Sequence, residues 1–392
     1  MRELQDYSGE FLPDLRLQDF SKDVLIRLWQ AGGRLYVGII GFWFRLVRER
    51  FGEEAAKELQ GSVWMGGGGN EMELRRVRDA MNIHGDTVAD LFKHFQVDPG
   101  AAGFIDFVYD LKSRYHGIAT CRRCWALDYF ERSGETTYGK HICDLDVWGY
   151  AEAGEIFNPK MKTTCLKLPP RQSKDDIACQ WEFKMDPGDS RVKPVNVGGP
   201  GAIDPVTGEL EDYSGEFKPD LRLTEFSRDA LARICRAAGM LYVGLGGIYH
   251  SWAKKKWGED VAAGLEAEVW RRAAYLDVRR AKEVMHIDGD DVATVFKVYQ
   301  VDPGVIGKLD ATYRLEDRNH GIMTVDRCRS LGYFERHQEH FRQKNVCEVV
   351  DVEGFANTAH LIHPNITVTP LKLPPRKSGD EIACQWDFKL EQ

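Results

Sequence analysis

The sequence predicts an α+β fold made of two homologous domains, each a helical N-terminal part followed by a small antiparallel sheet with inserted helices. One observation is a duplication, because DYSGEFLPDLRLQDFSKD (6–23) returns as DYSGEFKPDLRLTEFSRD (212–229). Another is a change of hydrophobic spacing within each half, from helical period to alternation. A Pro- and Gly-rich stretch without periodicity separates the halves. We therefore divide the chain into repeat 1 (1–186), a linker (187–211) and repeat 2 (212–392).

Each repeat begins with helical patterns. In repeat 1, Asp19 or Ser21 can cap a helix that continues to about residue 50, because its apolar residues recur at helical spacing. Shorter helical patterns follow at 53–64, 70–81 and 86–95. The DPG sequence at 98–100 ends the last of them, because proline and glycine interrupt helices.

The second part of each repeat has the pattern of a sheet. Alternation predicts four strands in repeat 1: FIDFVYDL (104–111), YHGIAT (115–120), MKTTCLKL (161–168) and IACQWEFK (177–184). The last two are expected to form a closing hairpin. Helical spacing predicts two inserted helices, CRRCWALDYFER (121–132) and CDLDVWGYAEAGEIF (143–157).

Composition and charge exclude several classes of protein. Hydrophobic residues make up 43% of the chain, enough to build cores, and the formal net charge of -8 argues against a nucleic-acid partner. The most apolar segment, LYVGIIGFWF (35–44), is too short to cross a membrane, so we expect no membrane partner. The start, MRELQDYSGEF, has no apolar signal-peptide core. These features predict a soluble, cytoplasmic protein.

A duplicated domain usually reproduces the arrangement of a homodimer. We therefore expect the two repeats to pack on each other as a pseudo-dimer. The alternative is a pair of domains that scarcely touch, which the flexible composition of the linker would allow.

Duplication also sorts the nine cysteines, because a chemistry common to both repeats must rest on residues that both contain. Three cysteines of repeat 1 and one histidine have counterparts in repeat 2: Cys124 with Cys328, Cys143 with Cys347, Cys179 with Cys384, and His116 with His320. Cys121, His141 and Cys165 have none, which favours repeat 1 as the active copy.

The paired cysteines have three interpretations. Three thiolates and an imidazole would complete a tetrahedral site for zinc or another transition metal. A cysteine in the first turn of a helix, the position predicted for Cys143 and Cys347, has a lowered pKa and can act as a nucleophile. Free cysteines are also often buried only as small apolar residues.

Charged residues near these cysteines are further candidates. Asp146 and Asp351 can act as general bases beside Cys143 and Cys347, or can complement a helix dipole. The arginine of YFER, present in both repeats, can anchor a substrate carboxylate or form a structural ion pair. These arginines are Arg132 and Arg336.

A cysteine on a helix, then C-x-x-D, then a hairpin ending in C-x-[WF]-x-F resembles the L-2-amino-thiazoline-4-carboxylic acid hydrolase-like family. The resemblance covers about the C-terminal two-fifths of each repeat and is clearest at Cys124, CDLD (143–146) and DDIACQWEF (175–183). Repeat 2 departs from it, because CEVVD (347–351) lengthens the C-x-x-D spacing. The closing hairpin is also similar to vinyl-4-reductase type ligand-binding domains, which hold zinc and a small aromatic ligand.

The first resemblance implies hydrolysis of a C–N bond in a small molecule that carries a carboxylate. The second implies a non-catalytic module that binds a metal and a small molecule, such as a sensor. Fold alone does not decide between them. Both place a cysteine-lined site beside a cavity for a small-molecule partner. The many cysteines of repeat 1 leave a redox or metallocofactor-handling role as a further alternative.

Overall fold

The computed structural model describes residues 2–192, 202–204 and 206–391, so the predicted linker lies partly outside the described residues. Repeat 1 contains six helices and four strands: α1 (Lys22–Phe51), α2 (Glu53–Trp64), α3 (Gly69–Met81), α4 (Val88–Val97), β1 (Ile105–Ser113), β2 (His116–Cys124), α5 (Trp125–Ser133), α6 (Thr136–Phe157), β3 (Lys162–Lys167) and β4 (Cys179–Lys184). The predicted α+β class is confirmed.

Repeat 2 follows the same order with three local differences. Its elements are α7 (Arg228–Trp257), α8 (Glu259–Met285), α9 (Val292–Val301), α10 (Pro303–Lys308), β5 (Leu309–Asp317), β6 (His320–Cys328), α11 (Arg329–His337), α12 (His340–Asn345), a π-helical turn (Val346–Val350), α13 (Asp351–Ile362), β7 (Ile366–Lys372) and β8 (Cys384–Leu390). One long helix, α8, replaces α2 and α3, and the short helix α10 has no counterpart in repeat 1. The π-helical turn interrupts the helix that corresponds to α6.

Each repeat has a four-stranded antiparallel sheet, with strand order β1-β2-β4-β3 in repeat 1 and β5-β6-β8-β7 in repeat 2. The HGI motif in both repeats has a packing role. A side chain at Gly117 would come within 2.5 Å of the Phe92 ring of α4, and one at Gly321 within 2.6 Å of the Phe296 ring of α9. Glycine in the second strand therefore allows the preceding helix to lie directly on the sheet.

The longest helices of the two repeats, α1 and α7, pack side by side. Trp43 stacks on Tyr249 with ring centroids 5.3 Å apart, and Phe51 stacks on Trp257 at 4.6 Å. Each of these residues contacts its own counterpart in the other repeat, since both pairs are separated by the same number of positions. Such contacts between equivalent residues indicate a parallel, in-register helix pair along a pseudo-two-fold axis.

The N-terminal segments of the repeats are exchanged across this axis. The Tyr7 hydroxyl donates to Gln300 of α9 at 2.6 Å, and the Tyr213 hydroxyl donates to Gln96 of α4 at 2.7 Å. Phe217 packs on Phe92 with centroids 6.0 Å apart. The DYSGEF segment that opens each repeat therefore completes the core of the other.

The helix α7 is the one described helix that is long and apolar enough to cross a membrane. However, 61% of its apolar window is buried inside the protein. This burial is typical of a core helix in a soluble protein.

Candidate functional site

A cavity of about 580 Å³ lies in repeat 1. Its wall is mostly apolar and aromatic, and the aromatic residues that line it include Tyr36, Phe95, Phe104, Trp125, Tyr129, Phe130, Tyr138 and Tyr150. Helix α8 of repeat 2 adds Leu276 and Arg280 to the wall. The volume lies within the range of sites for small organic molecules.

Three of the cysteine-site residues predicted in repeat 1, Cys124, Cys143 and Asp146, line this cavity. Cys124 is the N-cap of α5, whereas the sequence predicts a helix that already begins at Cys121. Cys143 and Asp146 lie one turn apart on α6, so their side chains share one face of the helix. The structure therefore brings a thiol and a carboxylate to the same wall.

The environment of Cys143 differs from the prediction because α6 begins earlier in the chain. The helix starts at Thr136, so Cys143 lies two turns inside it and receives no stabilisation from a helix N-terminus. Burial and the charge of Asp146 raise the pKa of Cys143, and burial raises the pKa of Cys124 to about 12. Both thiols are thus protonated near neutral pH, and the expected low-pKa thiolate is absent from this wall.

Cys179 lies behind the cavity. It pairs in register with Cys121 across strands β4 and β2, and the Trp181 indole N–H donates to its sulfur at 3.2 Å. A hydrogen bond with Cys179, together with burial, raises the pKa of Cys121. These two cysteines belong to the sheet and its apolar packing.

The histidines are not brought to the cysteines. His116 is the first residue of β2 and Cys124 is the last, so about 26 Å of extended strand separates them. His116 pairs with Glu182 at 2.9 Å, and in repeat 2 His320 pairs with Asp387 at 2.8 Å. The sequence predicts a strand at 115–120 that gives way to a helix at Cys121, whereas the strand continues through CRRC to Cys124.

These positions do not supply a tetrahedral Cys3His site. Zinc bonds of about 2.3 Å to sulfur would place ligand sulfurs roughly 3.8 Å apart. Within the described residues, the one group of three ligand atoms that approach each other within 4.8 Å contains no cysteine. Zinc binding by Cys124, Cys143 and Cys179, or by Cys328, Cys347 and Cys384, stays a prediction.

Asp146 is a carboxylate without a neutralising partner. Within the described part of the chain no cation pairs with it, and burial raises its pKa to about 7. Phe104, which lines the same cavity, offers no charge. A carboxyl group with this pKa can both accept and donate a proton near neutral pH.

The corresponding region of repeat 2 is filled. The three cysteines predicted for repeat 2, Cys328, Cys347 and Cys384, come together there with Asp351, but they surround a space of only about 10 Å³. Lys308, which replaces Phe104, forms an ion pair with Asp351 at 2.5 Å. Burial raises the pKa of Cys347, as it does for Cys143.

The longer spacing of CEVVD has a structural explanation. The π-helical turn Val346–Val350 absorbs one additional residue between Cys347 and Asp351. A π-helical turn is the usual result of inserting a single residue into an α-helix. As a result, Asp351 still faces the cysteines although the C-x-x-D motif is lost.

Arg132 lines the cavity of repeat 1 and has no ion-pair partner among residues 2–192, 202–204 and 206–391. Arg336 is likewise unpaired there and lies away from the small space of repeat 2. The glutamate of each YFER motif pairs instead with the arginine of the LPPR motif. Glu131 accepts a hydrogen bond from Arg171 at 2.6 Å. Glu335 accepts two hydrogen bonds from Arg376, at 2.8 and 2.7 Å. The repeated LPPR segment therefore anchors the α5 or α11 helix.

Sequence reasoning did not identify a second group of polar residues on the same wall, which consists of Glu73, His94 and Asp98. Their one signal in the sequence is the VDPG motif at 97–100 and 301–304, which by itself predicts only the end of a helix. Burial raises the pKa of Glu73 and of Asp98, and lowers the pKa of His94 to about 3.

Comparison with known proteins assigns no activity. Residues 224–390 match the model of a family of unknown function, DUF6125, which covers most of repeat 2. No curated protein and no solved structure matches the chain.

Proposed function

We propose that repeat 1 is a hydrolase that cleaves a C–N bond in a small, carboxylate-bearing molecule. The observation that carries this proposal is Asp146, an uncompensated carboxylate beside Cys143 on the wall of a ligand-sized cavity. The choice of a C–N bond comes from the family resemblance. The nine cysteines, none of which is in a disulfide, support a location in the reducing cytoplasm.

Asp146 would act as general base and then as general acid. Its carboxylate takes a proton from a water molecule as the water oxygen bonds to the carbon of the substrate. The C–N bond then breaks, and the protonated Asp146 returns the proton to the leaving nitrogen. The Cys143 thiol, which is protonated, can donate a hydrogen bond to the reacting group.

Arg132 would hold the substrate carboxylate. It lines the cavity, and its guanidinium offers the paired donors that suit a carboxylate. The aromatic wall would enclose the rest of the molecule and exclude water. The space around Cys347 and Asp351 in repeat 2 is too small for a substrate, so we assign this repeat a structural role.

The test is turnover of small carboxylate-bearing heterocycles, starting with L-2-amino-thiazoline-4-carboxylic acid, with products followed by mass spectrometry. We expect turnover by the wild-type chain, a loss of at least about a hundredfold in Asp146→Asn, and little change in Cys347→Ser. Equal activity of wild type and Asp146→Asn would contradict the role of Asp146.

A non-catalytic binding module is the second candidate. The protonated thiols and mostly apolar wall favour it, because neither feature requires a reaction. Ligand-observed NMR separates the two functions. Saturable binding of the same heterocycles without product, unchanged in Asp146→Asn, would support the module and reject the hydrolase.

A further inference from the structure

Glu73, His94 and Asp98 come from separate parts of repeat 1 and meet on the cavity wall. Glu73 lies on α3, His94 lies on α4, and Asp98 follows α4 by one residue. One ligand atom of each lies within 4.8 Å of the other two. His94 lies in the last turn of α4 and Asp98 is its C-cap, with His94 Nε2 3.2 Å from Asp98 Oδ2.

The imidazole of His94 is an unusual feature of this group. The residue is completely buried, and neither ring nitrogen has a hydrogen-bond partner among the described residues. Although Nε2 points towards Asp98, the contact lacks hydrogen-bond geometry. Buried polar groups without partners are costly and rare, so such a nitrogen indicates a missing ligand.

We infer that Glu73, His94 and Asp98 bind a divalent first-row transition-metal ion on the wall of the repeat 1 cavity. Two carboxylates and one imidazole are ligands that Mn²⁺, Fe²⁺, Co²⁺ and Zn²⁺ accept. Three protein ligands leave coordination positions open, and these would face the cavity. The inference does not depend on the hydrolase proposal, because binding requires no reaction.

Surrounding groups already orient the two carboxylates. The Tyr36 hydroxyl donates to Glu73, and the backbone N–H of Gly100 donates to Asp98 at 2.8 Å. A side chain at Gly100 would come within 2.9 Å of the Tyr36 ring and 3.3 Å of the Glu73 carboxylate. The glycine of VDPG thus lets the loop approach the group closely.

Repeat 2 provides an internal comparison. It keeps the tyrosine and both acids as Tyr242, Asp277 and Asp302, but Val298 replaces His94. The Tyr242 hydroxyl donates to Asp277 at 2.9 Å, so the tyrosine–carboxylate contact persists without the imidazole. Without a nitrogen ligand, repeat 2 should not bind the ion.

The experiment titrates the chelator-treated full-length chain with Co²⁺ and Zn²⁺, and measures metal content by mass spectrometry. We expect one tightly bound ion per chain, with a cobalt spectrum that shows d–d bands but no thiolate-to-cobalt charge-transfer band. His94→Val, which introduces the residue of repeat 2, should weaken binding by roughly a hundredfold or more. Asp277→Asn, the matched change in repeat 2, should leave binding unchanged.

Three results would overturn the inference: no metal bound by the wild-type chain, equal binding by His94→Val, or a thiolate charge-transfer band. Circular dichroism establishes whether His94→Val is folded, and Glu73→Gln provides a second variant if it is not. Because these readouts need no substrate, failure of the hydrolase proposal would not change them.

Discussion

The cavity region of repeat 1 and the same region of repeat 2 share cysteines and an aspartate, yet only the first has room for a ligand. Around Cys143 and Asp146 the space measures about 580 Å³, whereas around Cys347 and Asp351 it measures about 10 Å³. Paired cysteines therefore do not identify a functional site by themselves. The residues around them decide whether the space is open.

One difference is the helix that covers the region. In repeat 2 the continuous α8 places Trp270 against Gly246. A side chain at Gly246 would come within 2.9 Å of the Trp270 ring. Repeat 1 has Ile40 at the position of Gly246, and its tryptophan, Trp64, lines the cavity instead. The glycine-rich break between α2 and α3 permits this displacement, because Gly68 has a φ of 92°.

A second difference is charge. In repeat 2, Arg342 donates to the buried Glu266 at 3.0 Å, and the two side chains occupy the interior. Repeat 1 has Tyr138 and Gln60 at these positions, and both line the cavity. An ion pair therefore occupies this region of repeat 2, whereas an aromatic and a neutral side chain line the cavity at the equivalent positions of repeat 1.

The largest expected effect concerns the two aspartates. Asp351→Asn removes the partner of Lys308, and we expect it to lower the free energy of unfolding by about 3 kcal/mol. Asp146→Asn removes an unpaired charge, and should raise that free energy by about 4 kcal/mol at pH 8. Urea denaturation measures both. Effects of the same sign would remove the proposed electrostatic difference between the repeats.

Introducing the lysine of repeat 2 should close the cavity of repeat 1. Phe104→Lys places an ammonium group near Asp146, and we expect the affinity for a fluorescent aromatic carboxylate to fall at least about tenfold. Phe104→Leu, which adds no charge, is the control and should retain binding. Titrations followed by fluorescence compare the variants, and undiminished binding by Phe104→Lys would place the ligand elsewhere.

The pH dependence of stability should reveal Asp146. Its folded pKa of about 7 exceeds the ordinary aspartate value, so the folded state holds this proton to higher pH than the unfolded state. The stabilisation from protonated Asp146 is therefore present at low pH and is lost as pH rises through about 7. Relative to Asp146→Asn, the wild-type chain should lose about 2 kcal/mol between pH 5 and pH 8. If the free energy of unfolding changed with pH in the same way in both proteins, the raised pKa of Asp146 would be excluded.

The smallest effect concerns the helix break. Gly68→Ala imposes a side chain on a left-handed backbone, and should lower the free energy of unfolding by about 1 kcal/mol. Gly264→Ala, within the exposed surface of the continuous α8, should raise it by up to about 1 kcal/mol. Thermal denaturation of the two variants tests whether the break is a defined turn.

Much of the fold follows from sequence because hydrophobic period is a local property. It located the α1 helix, the glycine-rich break and the closing hairpin within a few residues. CRRC was assigned to a helix, but its residues continue β2 to Cys124, since pairing with β1 and β4 outweighs local helical spacing. This error also misplaced His116 relative to the cysteines.

The site was less predictable because it depends on packing between distant elements. Comparison of the repeats selected Cys143 and Asp146, which do line the cavity. It could not select His94, because the comparison favoured residues that both repeats keep. The volume of the cavity depends on the sizes and positions of side chains from both repeats. A local sequence pattern does not determine how these side chains pack.

Alkylation of Cys143 and Cys347 in the native chain tests most directly whether repeat 1 is open and repeat 2 is filled. Burial raises the pKa of both thiols, so a difference in rate between them would report access. Peptide mass spectrometry after timed exposure to iodoacetamide should show Cys143 modified at least about tenfold faster. Equal rates, or faster modification of Cys347, would contradict the account.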